Sequence, residues 1–287
     1  MSTIRITKMH GAGNDYVYVD CREQDLADPP RVARSVSRRH HGIGADGLIL
    51  IRPSTLAHCR MEMYNADGSR AEMCGNGIRC VGKFVYDRGL KENPLRVETD
   101  DGVKTLALAL GADDRVAAAT VDMGEPIFDG PRIPVAAEGK VIDSPLDVGG
   151  ETYRVTCLSM GNPHCVVFVP AVATLELDRL GPRFEHHPFF PRRVNTEFVA
   201  VRSGRELDFR VWERGSGETM ACGTGACAAV VAAAVTGRAE RHVTVHLRGG
   251  DLAIDWRADD HVYMTGEAAE VFTADIDLAT VYAATGA

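Results

Sequence analysis

Lysine and long apolar runs are scarce in this chain of 287 residues, and its 32 basic residues are outnumbered by 40 acidic ones. There are five lysines, none of them after Lys140, so a lysine that forms a Schiff base with pyridoxal phosphate would have to come from the first half. The longest apolar stretch, Ala226–Val235, is too short to cross a bilayer. The formal net charge of −8 argues against nucleic-acid binding, which would need clustered positive charge. The composition therefore disfavours a membrane protein and a nucleic-acid-binding protein.

The eight cysteines lack the spacings that are typical of metal sites and redox motifs. No Cys-x-x-Cys occurs, and the nearest pairs, Cys74/Cys80 and Cys222/Cys227, fit neither zinc ribbons nor thioredoxin-type motifs. The opening MSTIRITKMHGAG has no apolar segment of the signal-peptide type. We therefore expect a cytoplasmic protein with reduced thiols and no metal site.

A short phrase occurs twice in the chain, as MCGNGIRC and as ACGTGACA. Each copy is a cysteine in a glycine-rich loop that opens a predicted helix. The two cysteines, Cys74 and Cys222, are 148 residues apart (222 − 74), and the same offset relates Asn14 to Asn162. An offset that is kept without a gap indicates two structural copies related by a pseudo-two-fold axis.

The repeat predicts two domains of similar fold. We expect an N-terminal half over residues 1–122, completed by the C-terminal segment 266–287, and a second half over residues 123–265. Many short strands with one longer helix in each half indicate an α+β class, in which a mixed or antiparallel sheet wraps around a central helix. Two such domains packed face to face would present both thiols to one cleft, the expected active site. Ala136–Gly150 is the expected exposed linker or hairpin.

Helix signals are clearest at three places. Arg31–His40 is a predicted helix, and the predicted helices Gly77–Arg88 and Gly225–Thr236 follow the two cysteine loops. The last two end in register at Gly89 and Gly237, and glycine suits the left-handed conformation that follows many helices.

The cysteine loops suggest acid–base chemistry at a carbon atom. A thiol at a helix N-terminus has a lowered pKa, and Cys74 and Cys222 each stand just before a predicted helix. The neighbouring glycines leave backbone N–H groups to bind a carboxylate and to stabilise an enolate-like transition state. One thiol must be ionised and the other protonated, so groups that separate their pKa values are needed. His164 and Glu213, close in sequence to the repeat motifs, are the candidates.

Several motifs also have a simpler explanation. A single Cys-Gly-x-Gly before a helix is usually only a tight turn, and the second copy in register is what argues for function. Gly42–Gly47 matches G-x-G-x-x-G, but a basic, polar stretch precedes it instead of an apolar strand, which argues against a dinucleotide site. The histidine pairs that begin at His40 and His186 fit solvated loops. Asn14 and Asn162 either hold left-handed turn positions or offer amides to a zwitterionic ligand, and their pairing favours the second.

Five stretches of the chain resemble motifs of the diaminopimelate epimerases, which are cofactor-independent enzymes that interconvert LL- and meso-diaminopimelate. They are KMHGAGNDY (Lys8–Tyr16), YNADGSRAEMCGNGIRC (Tyr64–Cys80), GNPH (Gly161–His164), NTEF (Asn195–Phe198) and ERGSGETMACGTGACA (Glu213–Ala228). The motifs are long, specific and in the same order. The resemblance implies an isomerase of lysine and peptidoglycan precursor synthesis, with a small-molecule substrate, no cofactor, two similar domains and a homodimer.

The resemblance also implies roles for individual residues. Cys74 is the expected base and Cys222 the expected acid for the LL substrate, with the roles exchanged in the reverse direction, and His164 and Glu213 tune the thiols. One departure is Gly47, where several relatives carry a glutamine, because glycine has no side-chain amide to offer. The residues expected around the reacting carboxylate are Gly75, Asn76, Gly223 and Thr224. The residues expected around the rest of the amino acid are Asn65, Asn162, Asn195, Glu213 and Arg214. Asn14, the counterpart of Asn162 in the repeat, is a further candidate for substrate binding.

Three rival interpretations stay open at this point. Proline and hydroxyproline racemases share this architecture, but their first loop usually reads CGH, whereas this chain has Asn76 after Cys74-Gly. Arg214 beside Glu213 also favours a substrate with two charged ends. A thiol redox sensor would instead pair Cys74 with Cys222 in a reversible disulfide. A pyridoxal phosphate racemase would need one of the five lysines, and none lies in a recognisable cofactor loop.

Overall fold

The structure is a computed structural model that describes residues 3–286. The chain forms two compact units: unit 1 comprises Met1–Val121 and Gly266–Ala287, and unit 2 comprises Asp122–Thr265. Within the described residues, no helix has both the length and the apolar character needed to cross a membrane.

Unit 1 alternates strands with two helices along its N-terminal segment. These elements are β1 (Thr3–Gly11), β2 (Asn14–Asp20), α1 (Pro29–Ser37), β3 (Gly47–Arg52), β4 (Cys59–Asn65), β5 (Arg70–Ala71), α2 (Gly75–Asp87), β6 (Leu95–Thr99), β7 (Gly102–Leu110) and β8 (Val116–Asp122). The β3 strand is a run of aliphatic residues that are buried on both faces, as is typical of a strand in the middle of a covered sheet.

Unit 2 follows the same plan. Its elements are a 3-10 turn (Gly130–Arg132), β9 (Ser144–Val148), β10 (Glu151–Ser159), β11 (Pro163–Phe168), α3 (Leu177–Glu185), β12 (Asn195–Ser203), β13 (Glu206–Glu213), β14 (Gly217–Glu218), α4 (Gly223–Val235), β15 (His242–Leu247), β16 (Gly250–Trp256) and β17 (Val262–Glu267). The chain then returns to unit 1 with β18 (Ala269–Asp277) and α5 (Leu278–Thr285).

The two units have the same strand order. It is β18-β1-β2-β3-β4-β6-β7-β8 in unit 1 and β9-β10-β11-β12-β13-β15-β16-β17 in unit 2. In both units the third and fourth strands are parallel, as are the fifth and sixth, and the other neighbours are antiparallel. The C-terminal strand β18 therefore takes in unit 1 the place that β9 takes in unit 2. The predicted α+β class with two similar halves and mixed sheets is confirmed.

The pairing of strands shows that the 148-residue offset also relates positions outside the cysteine loops. In unit 1, Tyr16 of β2 pairs with Gly47 of β3. In unit 2, His164 of β11 pairs with Asn195 of β12. The pseudo-equivalent positions on these strands are Tyr16 and His164, Gly47 and Asn195, and Ile49 and Glu197.

The helices that follow the cysteine loops, α2 and α4, begin two residues earlier than predicted because the cysteine itself is the capping residue. Both are followed by the predicted glycine with positive φ, Gly89 at 104° and Gly237 at 68°. The first helix, α1, ends at Ser37, three residues before the predicted His40. The sequence gives no clear signal for α5, or for α3, which contains Pro182.

The two central helices are enclosed by their sheets. The α2 helix packs against β1, β2, β6 and β7, and α4 packs against β10, β11, β12, β15 and β16. The α4 helix is a run of alanines and valines that is buried almost throughout, as expected of a helix that is covered on all sides. The predicted wrapping of each sheet around a central helix is therefore present in both units.

The predicted linker Ala136–Gly150 is part of the fold of unit 2. Its second half is β9, which pairs with β10. Val141, Leu146 and Val148 lie in the hydrophobic core of this unit. The hairpin interpretation is therefore correct, and the expected exposure holds for only part of the segment, because alternate side chains of β9 face the core.

Candidate active site

Cys74 and Cys222 take the same position in the two units, because each is the N-cap residue of its central helix. The Gly77 amide donates to the Cys74 sulfur at 3.3 Å, and the Gly225 amide donates to the Cys222 sulfur at 3.4 Å. The partial positive charge of a helix N-terminus therefore faces each sulfur, and this charge favours a thiolate.

A glycine lies three residues after each cysteine, where a side chain would be close to a residue of a neighbouring strand. A Cβ at Gly77 would lie 2.7 Å from Cδ1 of Ile49. A Cβ at Gly225 would lie 2.8 Å from Oε1 of Glu197 and 3.2 Å from the sulfur of Cys222. The absence of a side chain thus lets a β3 residue in unit 1 and a β12 residue in unit 2 approach the first helical turn. In unit 2 the approaching group is a carboxyl.

We call Asn14, Asp46, Cys74, Asn76 and Arg79 the Cys74 cluster. The thiol of Cys74 lies 3.3 Å from Oδ1 of Asn14, and the side-chain amide of Asn76 donates to the same oxygen at 3.4 Å. At the other end of its side chain, Asn14 donates through Nδ2 to Asp46 at 2.7 Å. Asp46 therefore fixes the Asn14 amide with its oxygen toward the thiol.

Arg79 is a charged residue of this cluster that the motif analysis did not select. Its side chain is fully buried. The guanidinium donates to the carbonyl of Gly75 at 3.2 Å and to Oδ1 of Asn76 at 3.0 Å. It thereby holds the first turn of α2, which carries the expected carboxylate-binding amides. The available signal was a single arginine among the small and apolar residues of GNGIRC.

We call Asn162, His164, Glu197, Glu213 and Cys222 the Cys222 cluster. Cys222 is buried, and this burial raises the pKa of its thiol well above the usual range, with the Glu213 and Glu197 carboxylates adding to the effect. The Thr224 hydroxyl, 3.5 Å from the sulfur, and the Gly225 amide act in the opposite direction. The helix N-terminus therefore acts on this pKa in the expected direction, but the expected net lowering is wrong for Cys222 because burial outweighs it.

His164 is fully buried, and both of its ring nitrogens have side-chain partners. Its Nδ1 lies 2.7 Å from Oε1 of Glu197, and its Nε2 lies 2.8 Å from Oδ1 of Asn162. Glu197 is itself fully buried and was missed by the sequence analysis, although it lies within the NTEF motif. The available signal was a carboxylate in a strand whose first six residues are buried.

The turn after β13 carries Glu213 and Arg214. The carboxylate of Glu213 accepts a hydrogen bond from the Thr219 hydroxyl. The backbone amide of Arg214 donates to Oδ1 of Asn195 at 2.9 Å, and Nδ2 of Asn195 donates to the carbonyl of Pro163 at 2.9 Å. Asn195 therefore ties this turn to β11, while the Arg214 side chain is exposed.

In unit 1, Asn65 ends β4, and its amide donates to the Ser69 hydroxyl at 3.0 Å.

Gly47 leaves no room for a side chain, since a Cβ there would lie 2.2 Å from the Tyr64 carbonyl and 2.9 Å from the Tyr16 ring. The glutamine contact implied by the resemblance therefore has no place in this structure. The G-x-G-x-x-G stretch that ends at Gly47 follows α1 instead of a strand, which argues further against a dinucleotide site.

Three solved structures share the fold of this chain. They are a hydroxyproline epimerase from Agrobacterium vitis with bound trans-4-hydroxy-L-proline (TM-score 0.66, 14% identity, covering 96% of this chain and 91% of that chain), a probable proline racemase from Agrobacterium radiobacter K84 (0.70, 13%, 96% and 93%) and a PhzF-family phenazine biosynthesis protein from Bacillus anthracis (0.67, 16%, 96% and 100%). At these identities the likeness defines the fold class alone.

The sequence comparisons are more specific. The model of the family described as diaminopimelate epimerase matches residues 6–128 and 156–271. Diaminopimelate epimerases from Acetivibrio thermocellus and Moorella thermoacetica are 52% and 54% identical over 278 and 279 residues, each covering 96% of this chain and 99% and 100% of the relative. The chain belongs to the diaminopimelate epimerase family, which confirms the resemblance and the expected class, an amino-acid isomerase.

Proposed function

We propose that this protein interconverts LL- and meso-diaminopimelate by a two-base mechanism in which Cys74 and Cys222 act on opposite faces of one α-carbon. Family membership supports the substrate. The paired geometry of the two cysteines supports the mechanism, since each sulfur accepts a backbone N–H at the start of a central helix. That shared geometry is the observation on which the mechanism depends.

For the LL substrate, Cys74 is the base and Cys222 the acid. Cys222 is suited to hold a proton at neutral pH, because burial and two nearby carboxylates raise the pKa of its thiol. Cys74 is half-buried, and its neighbour Asn14 presents a neutral amide oxygen instead of a carboxylate. The proton leaves the α-carbon to the Cys74 thiolate, and the Cys222 thiol supplies a proton to the opposite face. The reverse reaction exchanges the two roles.

The first turns of α2 and α4 are the proposed site for the reacting carboxylate. Helix N-termini bind anions and stabilise charge that develops in the transition state. The residues that contribute are Gly75 and Asn76 in unit 1 and Gly223 and Thr224 in unit 2.

The remaining polar groups are proposed to bind the rest of the substrate. Glu213 offers a carboxylate for an ammonium group, and the exposed guanidinium of Arg214 suits the distal carboxylate. Asn195 uses one donor and one acceptor within the fold and retains capacity for a further hydrogen bond. The other proposed contacts are Asn14, Asn65 and Asn162. His164 and Glu213 are proposed to tune the thiols.

We also propose that the protein acts in the cytoplasm as a homodimer, without a cofactor, and that its product serves lysine and peptidoglycan precursor synthesis. The family membership supports these proposals. Size-exclusion chromatography with light scattering tests the dimer, for which a single monomeric species would be the contrary result.

Proton NMR of LL-diaminopimelate in D₂O, with purified protein and a reducing agent, tests the function. We expect loss of the α-proton signal and appearance of the meso isomer. Cys74→Ala and Cys222→Ala should each abolish epimerisation, because each removes the acid or base on one face. Cys80→Ala, which alters a buried thiol within α2, is the matched control and should retain activity.

Two outcomes would contradict the proposal. Near-normal turnover in either catalytic variant would exclude the two-base mechanism. Exchange of the α-proton in a matched L-proline sample, with none in diaminopimelate, would retain thiol chemistry but assign a different substrate.

A further inference from the structure

We propose that Glu197 is a positioning residue that acts through His164 to fix the direction of the Asn162 amide. The three side chains form one chain of hydrogen bonds, from Glu197 Oε1 to His164 Nδ1 and from His164 Nε2 to Asn162 Oδ1. The inference rests on the proposed function, since Asn162 is there a substrate-binding residue. Its consequence is that Asn162 offers its NH₂ group, and not its oxygen, to the substrate.

The donor and acceptor inventory supports this direction. Oδ1 of Asn162 can only accept, so Nε2 of His164 must carry a hydrogen. A second proton then lies between Nδ1 and the Glu197 carboxyl, 2.7 Å apart. Both groups are fully buried, so water cannot replace either partner. With its oxygen engaged by the imidazole, Asn162 has Nδ2 left to donate to a carboxylate.

The surroundings of Glu197 also favour a shared proton. Its second carboxyl oxygen, Oε2, is buried without a hydrogen-bond partner, which is costly for a bare carboxylate. Burial raises the pKa of Glu197, and the neighbouring His164 opposes that rise. The other titratable groups that face this carboxyl are Cys165 on β11, Glu213 on β13 and Cys222 at the start of α4.

In unit 1 the side-chain amide of the equivalent turn asparagine has the opposite direction. At the positions equivalent to His164 and Glu197, unit 1 has Tyr16 and Ile49, so it has no such chain of hydrogen bonds. The equivalent amide, Asn14, donates its Nδ2 to Asp46 and turns its oxygen toward the thiol of Cys74. One turn asparagine therefore presents an acceptor, and the other presents a donor. An amino acid has both an ammonium group, which needs acceptors, and a carboxylate, which needs donors.

Kinetics of four variants test the inference. Glu197→Leu removes the partner of Nδ1, and we expect kcat/KM for LL-diaminopimelate to fall roughly 10- to 100-fold, since a misdirected amide leaves a buried polar group of the substrate unpaired. Glu197→Gln keeps a hydrogen-bonding group beside Nδ1 without the charge and should recover most of this loss. In a double-mutant cycle, Glu197→Leu combined with Asn162→Ala should be no worse than Asn162→Ala alone.

The control is Asp87→Asn in α2, which alters a carboxylate that is also buried and that accepts from the Val116 amide. We expect its kcat/KM to stay within about twofold of the wild-type value, because Asp87 lies at the end of α2 opposite to Cys74 and is not part of the Cys222 cluster. Additive losses in the cycle would overturn the inference, since Glu197 would then act by a route other than Asn162. Equal losses in Glu197→Leu and Glu197→Gln would also overturn it, because they would assign the effect to charge.

Nitrogen-15 NMR of the wild-type histidines supplies a readout that does not depend on activity or on the folding of any Glu197 variant. The His164 signals are those that disappear in His164→Gln. A protonated Nε2 at neutral pH is the expected result, and a bare Nε2 with hydrogen only on Nδ1 would overturn the inference. If the wild-type protein did not epimerise diaminopimelate, the proposed function would fail, while this measurement would still decide the direction of the Asn162 amide.

Discussion

Adding one methyl group at Gly225 should disturb the Cys222 cluster, whereas the same change at Gly77 should not disturb its counterpart. The new Cβ of Gly225→Ala would lie 2.8 Å from Oε1 of Glu197 and 3.2 Å from the sulfur of Cys222. The carboxyl is fully buried and held by His164, so it cannot move without weakening that hydrogen bond. Overpacking of this kind costs about 1–3 kcal/mol, and the better helix propensity of alanine returns up to about 1 kcal/mol.

Gly77→Ala is the matched variant, because it has the same place in α2. Its Cβ would meet Cδ1 of Ile49 at 2.7 Å, which is the end of an aliphatic side chain that can rotate, and the sulfur of Cys74 at a comfortable 3.6 Å. We expect Gly225→Ala to be less stable than Gly77→Ala by about 1–2 kcal/mol in urea unfolding. We also expect it to have the lower kcat/KM in the diaminopimelate assay.

Equal stability and equal activity in the two glycine variants would refute the reasoning. That result would mean that Glu197 moves aside at no cost and that its contact with His164 does not constrain the cluster. If Gly225→Ala lost stability but kept its kcat/KM, the predicted overpacking would be correct, and the predicted effect on catalysis would be wrong.

Three further predictions concern other buried groups. Arg79→Lys should lower kcat/KM for diaminopimelate by roughly tenfold, because an ammonium cannot reproduce both guanidinium hydrogen bonds to the first turn of α2; unchanged steady-state kinetics would argue against this role. Thr219→Val should lower kcat/KM about fivefold or more, since it removes a hydrogen bond to the Glu213 carboxylate, and an unaltered value would mean that this contact is not needed. Burial raises the pKa of Cys59 to about 11, above its unfolded value. The unfolded chain therefore loses this thiol proton at a lower pH than the folded protein does. The contribution of Cys59 to the free energy of unfolding is complete below the unfolded pKa, and about 3 kcal/mol of it is lost as the pH rises from about 9 to about 11. Other buried thiols, such as Cys80, have raised pKa values too, so Cys59→Val should also lose stability over this range, but by about 3 kcal/mol less than the wild-type protein. Chemical denaturation of both proteins measures this difference, and parallel curves would contradict the prediction.

Much of the plan was readable from local sequence. The repeated cysteine loop and the 148-residue offset predicted two similar halves, because a helix N-terminus needs its capping residue and glycines at fixed local spacings. For the same reason the glycines at the ends of the two helices, Gly89 and Gly237, were found from sequence.

The sequence did not reveal which side chains meet inside each unit. His164 and Glu197 are 33 residues apart and come together only because β11 and β12 are parallel neighbours in register. Arg79 looked like an ordinary helix residue until the fold buried it. The net pKa of Cys222 likewise depends on burial and on two carboxylates brought from other strands.

The sequence by itself thus determined the two cysteine loops, the α+β class and the identity of the candidate acid and base, because these depend on short-range spacing and on residue type. The tertiary structure decided how each thiol is surrounded. Parallel strand pairing placed a buried carboxyl and an imidazole behind one cysteine, while an aliphatic and a phenolic side chain occupy the equivalent positions behind the other. That difference depends on long-range register and desolvation, and neither is encoded in any local stretch of the chain.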